Sequence, residues 1–186
     1  MELLENDLIE GSSGRFGKRL IYSQRGRKTV ITRRSSRKRD PNSIRQQVVR
    51  ETFAEGIIYA RGVIADPELK SLYQAKVKDN QTAFNLAVSD FCKAPQITRV
   101  HVFDYTGQIG DKIIVRAVDD FKVVSVELKI TDSADSLIEE GTAVLSPNGA
   151  DWIYLATATN PVLAGTKILV SAADLPGNVT TQEVLL

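Results

Sequence analysis

From residue 97 onward the sequence alternates apolar and polar residues with a period of two, and this pattern constrains the fold more than any other feature. Turn sequences such as TGQIGD, SPNGAD and DLPGN divide the region into seven short runs. Alternation puts every second side chain on the same face of a strand, so each run predicts a strand with one buried face. Strands spaced by about ten residues favour an antiparallel β-sandwich, with Trp152 as a large core residue.

Residues 43–95 change to apolar steps of three and four, which predict three short helices. Ser43 followed by Gln46 is a capping-box pattern at the start of the first helix. Asp66 before Pro67 is typical of the start of a second, and a third extends from about Thr82 to Cys92. The apolar stripe expected on the first helix comprises Val49, Phe53, Ile57, Ala60 and Ile64.

Residues 16–33 predict a β-hairpin arm. The run FGKRLIY places Phe16, Lys18, Leu20 and Tyr22 on one strand face, and KTVITR is rich in β-branched residues. Gly26 between them supplies the freedom of φ that a tight turn needs. We expect this arm to associate with another copy of the chain by strand pairing, through five residues: Phe16, Leu20, Tyr22, Val30 and Ile31.

The charges divide the chain into a basic head and an acidic body. Residues 1–50 contain thirteen Lys or Arg and five Asp or Glu, a net charge of +8, whereas residues 51–186 have a net charge of −7. Such asymmetry favours either an anionic partner or stacking of the head of one copy on the body of another. The candidate contact residues of the head are Arg25, Arg27, Lys28, Arg33, Arg34, Arg37, Lys38 and Arg39.

Two parts of the sequence resemble known bacterial families. The segments GDKIIVRAVDDFKVVSVELKI, WIYLATAT and GTKILVSAADLPGN are similar to bacterial immunoglobulin-like repeats over about residues 97–186. GKRLIYSQRGRKTVITRR followed by QQVVRETFAEGIIYA resembles the opening of uncharacterised bacterial families, notably in Bacteroidota. The resemblance implies an immunoglobulin-like fold and no catalytic residues, and by analogy a phage-like or assembly role.

Candidate chemical groups are few and are not arranged in catalytic motifs. His101 is the single histidine, and its spacing suggests no nucleophile or orienting acid. Cys92, the single cysteine, ends an apolar helix stripe and is expected to be a small buried hydrophobe. Glu139 and Glu140 are adjacent in a strand, so they point to opposite faces and are expected to be exposed charges near a turn.

Acidic residues near the ends of the predicted strands leave two alternatives open. Calcium prefers six to eight oxygen ligands, and immunoglobulin-like loops sometimes gather them. The commoner role of Asp in such places is to cap a turn through its side chain. The residues in question are Asp119, Asp120, Asp132, Asp135, Asp174 and Asn178.

The expected architecture is mainly β with a small helical segment. It has a tail and basic β-hairpin arm (1–42), a helical segment (43–95) and an immunoglobulin-like antiparallel β-sandwich (96–186). We expect a non-enzymatic assembly protein that forms homo-oligomers, with no cofactor, metal or small-molecule substrate. The alternative is a nucleic-acid-binding or packaging protein without sequence specificity, and a weaker one is an adhesin-like surface binder. The N-terminus does not predict a secretory signal, nor any segment a membrane span, so the expected location is the cytoplasm or release without a Sec signal.

Overall fold

The computed structural model describes residues 9, 11–25, 28–34, 43–78 and 81–186. These residues form a mainly β structure with three helices and three antiparallel sheets. The N-terminal strands are β1 (Gly14–Phe16), β2 (Leu20–Arg25) and β3 (Lys28–Arg33), and the helices are α1 (Ile44–Ala65), α2 (Pro67–Ala75) and α3 (Ala83–Phe91). The C-terminal strands are β4 (Gln96–His101), β5 (Lys112–Val118), β6 (Val123–Thr131), β7 (Leu137–Thr142), β8 (Val144–Leu145), β9 (Asp151–Leu155), β10 (Lys167–Asp174) and β11 (Val179–Leu185). We call β1–β3 the arm sheet and β4–β11 the β body.

The helices begin at the residues whose side chains can cap them. The Ser43 hydroxyl accepts a hydrogen bond from the backbone N–H of Gln46 at 3.3 Å. The Asp66 carboxylate accepts one from the backbone N–H of Glu68, and Thr82 caps α3 in the same way. Each cap satisfies an N–H group that has no partner within its helix. The predicted helices are therefore confirmed, with boundaries within one residue of those expected.

The C-terminal half of α1 packs against α3. Ala60 and Val63 are buried there, and Gly56 lies so close that a Cβ at this position would be 3.3 Å from the ring of Phe91. The predicted apolar stripe is wrong at its start, because Val49 and Phe53 are 67% and 52% exposed. They precede the part of α1 that joins the buried helical cluster.

The β body consists of two four-stranded antiparallel sheets. Their strand orders are β4-β5-β9-β8 and β11-β10-β6-β7. Side chains from both sheets form one buried cluster, which includes Ile113, Ile130, Trp152 and Ile168. This arrangement confirms the expected β-rich region of antiparallel sheets and the core position of Trp152, and it is compatible with a β-sandwich.

One of the seven predicted strands corresponds to two separate strands in the structure. The run SLIEEGTAVL contains β7 and β8, which belong to different sheets. The chain changes sheets at Ala143, which is buried and donates its backbone N–H to the carbonyl of Val126 at 2.8 Å. No turn sequence separates β7 from β8, so the sequence predicts a single strand over this run.

The arm sheet has three strands in the order β1-β2-β3, so the predicted two-stranded hairpin is wrong in its first strand. Residues 17–19 form a turn, with Gly17 at a φ of 62°. Phe16 therefore lies on β1 and pairs with Leu20 on β2, while Lys18 lies in the turn. The predicted turn residue Gly26 lies outside the described residues.

In the described part of the chain, the helices are too short or too polar to cross a membrane.

Candidate functional site

One face of the arm sheet carries four apolar residues, whereas Ile21 and Val30 lie on the other face. The register of the sheet pairs Phe16 with Leu20 and Tyr22 with Ile31, which places these four residues on the same face. The rings of Phe16 and Tyr22 meet edge to face with centroids 6.1 Å apart. Val30 occupies the opposite face, since it is adjacent to Ile31 in the same strand. The structure thus brings together four of the five residues predicted for self-association.

This apolar face is not part of the protein interior. Phe16 is 68% exposed and Ile31 is 44% exposed. Among the described residues, the two buried clusters draw on the helices and on the β body, and neither includes a residue of the arm sheet. The face therefore leaves apolar surface exposed to solvent.

The same sheet is strongly basic. Residues 11–25 and 28–34 contain no Asp or Glu and seven exposed basic residues, which are Arg15, Lys18, Arg19, Arg25, Lys28, Arg33 and Arg34. Arg25 and Lys28 lie directly opposite each other in the β2–β3 register, on the face that does not carry Phe16. Like charges in directly opposed positions destabilise a strand pair, so an anion bound beside Arg25 and Lys28 would reduce the repulsion between them.

The predicted basic contact is only partly described. Arg25, Lys28, Arg33 and Arg34 are exposed residues of the arm sheet and its end. The other four predicted contact residues lie outside the described residues, and they are Arg27, Arg37, Lys38 and Arg39.

A buried polar group lies where the helices meet the β body. Asp90 of α3 is fully buried, and its Oδ2 accepts a hydrogen bond from the Tyr73 hydroxyl at 2.5 Å. The Tyr59 hydroxyl lies 2.9 Å from that of Tyr73, which donates to Asp90, so Tyr59 donates to Tyr73. Asp90 Oδ1 has no hydrogen-bond partner in the described part of the chain. This arrangement connects all three helices through one carboxyl group.

The β body contributes further acidic and aromatic groups to this junction. The ring of Phe121, between β5 and β6, stacks on that of Tyr73 with centroids 4.0 Å apart. Asn178 donates from its side-chain amide to the carbonyl of Phe91 at 3.2 Å and to Asp174 Oδ2 at 2.8 Å. Hydrogen bonds and ring stacking therefore hold the helical segment on the loops at one end of the β body.

The pKa of Asp90 is raised to about 7, mainly by burial and also by the negative charges of Asp119 and Asp174, which together outweigh the lowering effect of the Tyr73 hydrogen bond. Burial also raises the pKa of the Tyr73 hydroxyl, as does its hydrogen bond to Asp90. A buried carboxylate without a compensating partner is costly, so the protonated form of Asp90 is favoured below about pH 7.

The acidic residues considered for calcium act mainly in turns. Asp119 accepts from the backbone N–H groups of Phe121 and Lys122, both at 2.9 Å. Asp132 caps the β6–β7 turn and Asp174 caps the β10–β11 turn in the same manner. Asp120 and Asp135 form ion pairs with lysines. No group of three or more acidic, His or Cys side chains in the described ranges is placed to hold a metal ion. The geometry favours the turn-capping alternative.

Glu139 and Glu140 lie on opposite faces, as expected, but Glu139 is buried rather than exposed. Its Oε2 accepts four hydrogen bonds, from the Tyr154 hydroxyl, the hydroxyl and backbone N–H of Thr157, and the backbone N–H of Ala158. Burial, together with the hydrogen bond to Glu139, raises the pKa of Tyr154 to about 12. Glu139 thereby fixes the segment that follows β9 to β7.

The structure places His101 against an aromatic ring and leaves Cys92 exposed at a helix end. The ring of His101 lies edge to face against that of Phe103, with centroids 5.0 Å apart, which is a structural contact. The predicted burial of Cys92 is wrong, because its side chain is exposed. Cys92 is the C-cap residue of α3, and its sulfur lies beside Gly56 of α1 at the edge of the helix packing.

Sequence reasoning missed Asp90, Tyr59 and Tyr73. A signal for Asp90 was present, because it follows the buried residues Leu86 and Ala87 by four and three positions and so lies on the apolar face of α3. A charged residue at such a position needs a buried partner. The identity of that partner depends on how the helices pack, which the spacing of α2 does not give.

Comparison with known proteins adds no assignment. The sequence matches no known family model, and no curated protein is significantly similar to it. The function must therefore be argued from the geometry.

Proposed function

We propose that this is a non-enzymatic assembly protein that forms homo-oligomers through its arm sheet. The observation that carries the proposal is the apolar face of Phe16, Leu20, Tyr22 and Ile31, which joins neither buried cluster of the described residues. Burying apolar surface contributes about 25 cal/mol per Å², so such a face favours association. The resemblance to uncharacterised bacterial families, for which an assembly role is expected by analogy, agrees with this proposal.

The charges support pairing between different parts of two copies. Residues 11–25 and 28–34, which include the arm sheet, carry seven basic residues and no acidic one, while residues 51–186 have a net charge of −7. A basic head that meets an acidic body makes a contact between two different surfaces. Contacts of this kind build rings when the rotation closes and filaments when it does not.

We further propose that residues 96–186 form an immunoglobulin-like sandwich, as the resemblance implies. The strand orders β4-β5-β9-β8 and β11-β10-β6-β7 support this, since they correspond to the orders A-B-E-D and G-F-C-C′ of that fold. Such a domain presents edges and loops to partners, and its fold alone defines no chemistry.

Two matched substitutions test the assembly proposal. Ile31→Asp puts a charge on the apolar face, whereas Thr32→Asp puts the same charge on the adjacent residue of the opposite face. We expect Ile31→Asp to abolish oligomers in sedimentation velocity and Thr32→Asp to retain them. Normal assembly by Ile31→Asp, or by a chain that lacks residues 1–40, would contradict the proposal.

Nucleic-acid binding is the second candidate, and the exposed pair of Arg25 and Lys28 favours it. Basic side chains gain affinity for phosphates through counterion release, so binding would weaken steeply with salt. Binding of a fluorescent single-stranded oligonucleotide, titrated at several salt concentrations, tests it. Replacing Arg25 and Lys28 with Gln should then reduce both affinity and salt dependence. Unchanged binding in that variant and in one with Arg33, Arg34, Arg37, Lys38 and Arg39 neutralised would reject this candidate.

A further inference from the structure

A groove lies on the side of the β body where the chain passes from β7 to β8. Its volume is about 540 Å³. The side chains that line it come from the end of β7, from β8 and from β9, and include Val144, Leu145, Ile153 and Leu155. Val144 is 72% exposed and Leu155 is 51% exposed, so apolar surface remains open to solvent. The groove is therefore a second unpartnered apolar surface on the same chain.

The edges of both sheets border this groove. β7 is the last strand of one sheet and β8 the last strand of the other. β8 pairs with β9 only through Val144 with Ile153 and Leu145 with Trp152, whereas β9 continues to Leu155. In the described structure, the end of β9 thus has a strand partner on one side only. Sheet edges of this kind accept an added strand from another chain.

The polarity and charge of the groove lining fit the arm sheet of a second copy. Among its lining residues only Glu140 is charged, and no Lys or Arg is present. The arm sheet offers an apolar face, a β3 strand of six residues at its edge, and charges of the opposite sign only. An apolar strand flanked by basic residues complements an apolar groove whose one charged lining residue, Glu140, is acidic.

We propose that this groove accepts the arm sheet of a second copy of the chain, with β3 at the sheet edge and Ile31 against Val144 and Leu155. This inference rests on the proposed self-assembly and specifies the acceptor surface. Donor and acceptor are different surfaces, so each copy has one of each. Successive copies can then join head to body in a ring or a filament.

Disulfide cross-linking between two differently tagged proteins tests the pairing. Both carry Cys92→Ser, which removes the exposed cysteine; one also carries Ile31→Cys and the other Val144→Cys. After mixing and mild oxidation, we expect the mixed disulfide to form at least about tenfold faster than with control partners, because association raises the local thiol concentration. The controls are Thr32→Cys on the opposite arm face and Val179→Cys on the edge strand β11, which is 58% exposed.

The result separates this inference from the function on which it rests. Cross-linking no faster than in the controls, in a protein that light scattering shows to be oligomeric, would overturn the groove assignment and leave self-assembly standing. Loss of oligomers in Leu155→Asp, with an unchanged circular dichroism spectrum and cooperative unfolding, would support the groove independently. A chain that is monomeric at all concentrations would overturn both.

Discussion

The arm sheet and the β body use the same sequence pattern with different outcomes. Both consist of short antiparallel strands that place apolar residues at alternate positions on one face. In the β body a second sheet covers the apolar side chains, and residues such as Ile130 and Ile168 are fully buried. In the arm sheet Phe16 and Ile31 stay exposed. Alternation therefore specifies which face is apolar, whereas the cover for that face depends on what is available to pack on it.

This difference separates the residues that stabilise the fold from those that are available for association. Three or more strands need a packed apolar face to be stable on their own, and in the described residues the arm sheet shares no buried cluster with the remainder of the chain. We infer that the arm contributes little to the free energy of unfolding of the β body. Its main contribution is to the free energy of the proposed self-association. The following predictions test that separation.

The largest contrast is expected between two isoleucines in strands. Ile130→Ala removes a fully buried side chain and should lower the free energy of unfolding by about 4 kcal/mol. Ile31→Ala truncates a side chain that is 44% exposed and should change it by less than about 0.5 kcal/mol. Urea unfolding of the monomer at low concentration measures both. Equal losses would show that the arm belongs to a core.

The next largest effect concerns pH and the buried junction. The folded-state pKa of Asp90 is about 7, above the value of about 3.9 in an unfolded chain, so the folded state holds its proton more tightly. The stability that this proton contributes is fully present below about pH 4 and is lost as the pH rises to about 7, at up to about 1.4 kcal/mol per pH unit. The groups that face Asp90 are Tyr73 from α2, Tyr59 from α1, Asp119 from the β5–β6 turn and Asp174 from β10.

Asp90→Asn should remove this pH dependence. Relative to the unsubstituted chain, the variant should gain stability between pH 4 and 7 and keep that gain at pH 8. Thermal unfolding at matched pH values measures the difference. The stability difference between Asp90→Asn and the unsubstituted chain should be the same when residues 1–42 are deleted, because the described strands of the arm are not among the groups that face Asp90. A difference that is constant with pH would contradict the raised pKa.

A smaller effect is expected from two tyrosine hydroxyls. Tyr154→Phe removes one of four hydrogen bonds to the buried Glu139 and should cost about 1.5 kcal/mol. Tyr22→Phe in the arm sheet removes a hydroxyl with no hydrogen-bond partner in the described structure, and should leave the free energy of unfolding unchanged. Chemical unfolding monitored by circular dichroism compares the two. If Tyr22→Phe lowered the free energy of unfolding as much as Tyr154→Phe, the arm sheet and the β body would not differ in their contribution to stability.

Local signals predicted the elements well. Ser43, Asp66 and Thr82 mark helix starts because a side-chain oxygen satisfies backbone N–H groups whatever the tertiary structure. Alternation located the strands of the β body for a similar reason. The break of the first arm strand at residues 17–19 was missed, although Gly17 was a signal for it, because alternation passes across that turn.

Features that depend on packing could not be predicted in this way. The change of sheet at Ala143 is not marked by a turn sequence. The burial of Asp90 and Glu139 depends on partners that are 15 to 19 positions away in sequence. The exposure of Val49 and Phe53 depends on where α3 ends against α1. The apolar face of the candidate site was therefore predictable except for Val30, which lies on the opposite face.

The most direct test of the central claim is size-exclusion chromatography with light scattering on nuclease-treated protein, at low and high salt, with absorbance at 260 nm recorded. The account predicts a defined oligomer free of nucleic acid for the full chain, and a monomer for Ile31→Asp. A full chain that remains monomeric, and that retains nucleic acid until the salt is raised, would contradict it. The arm sheet would then be a phosphate-binding surface.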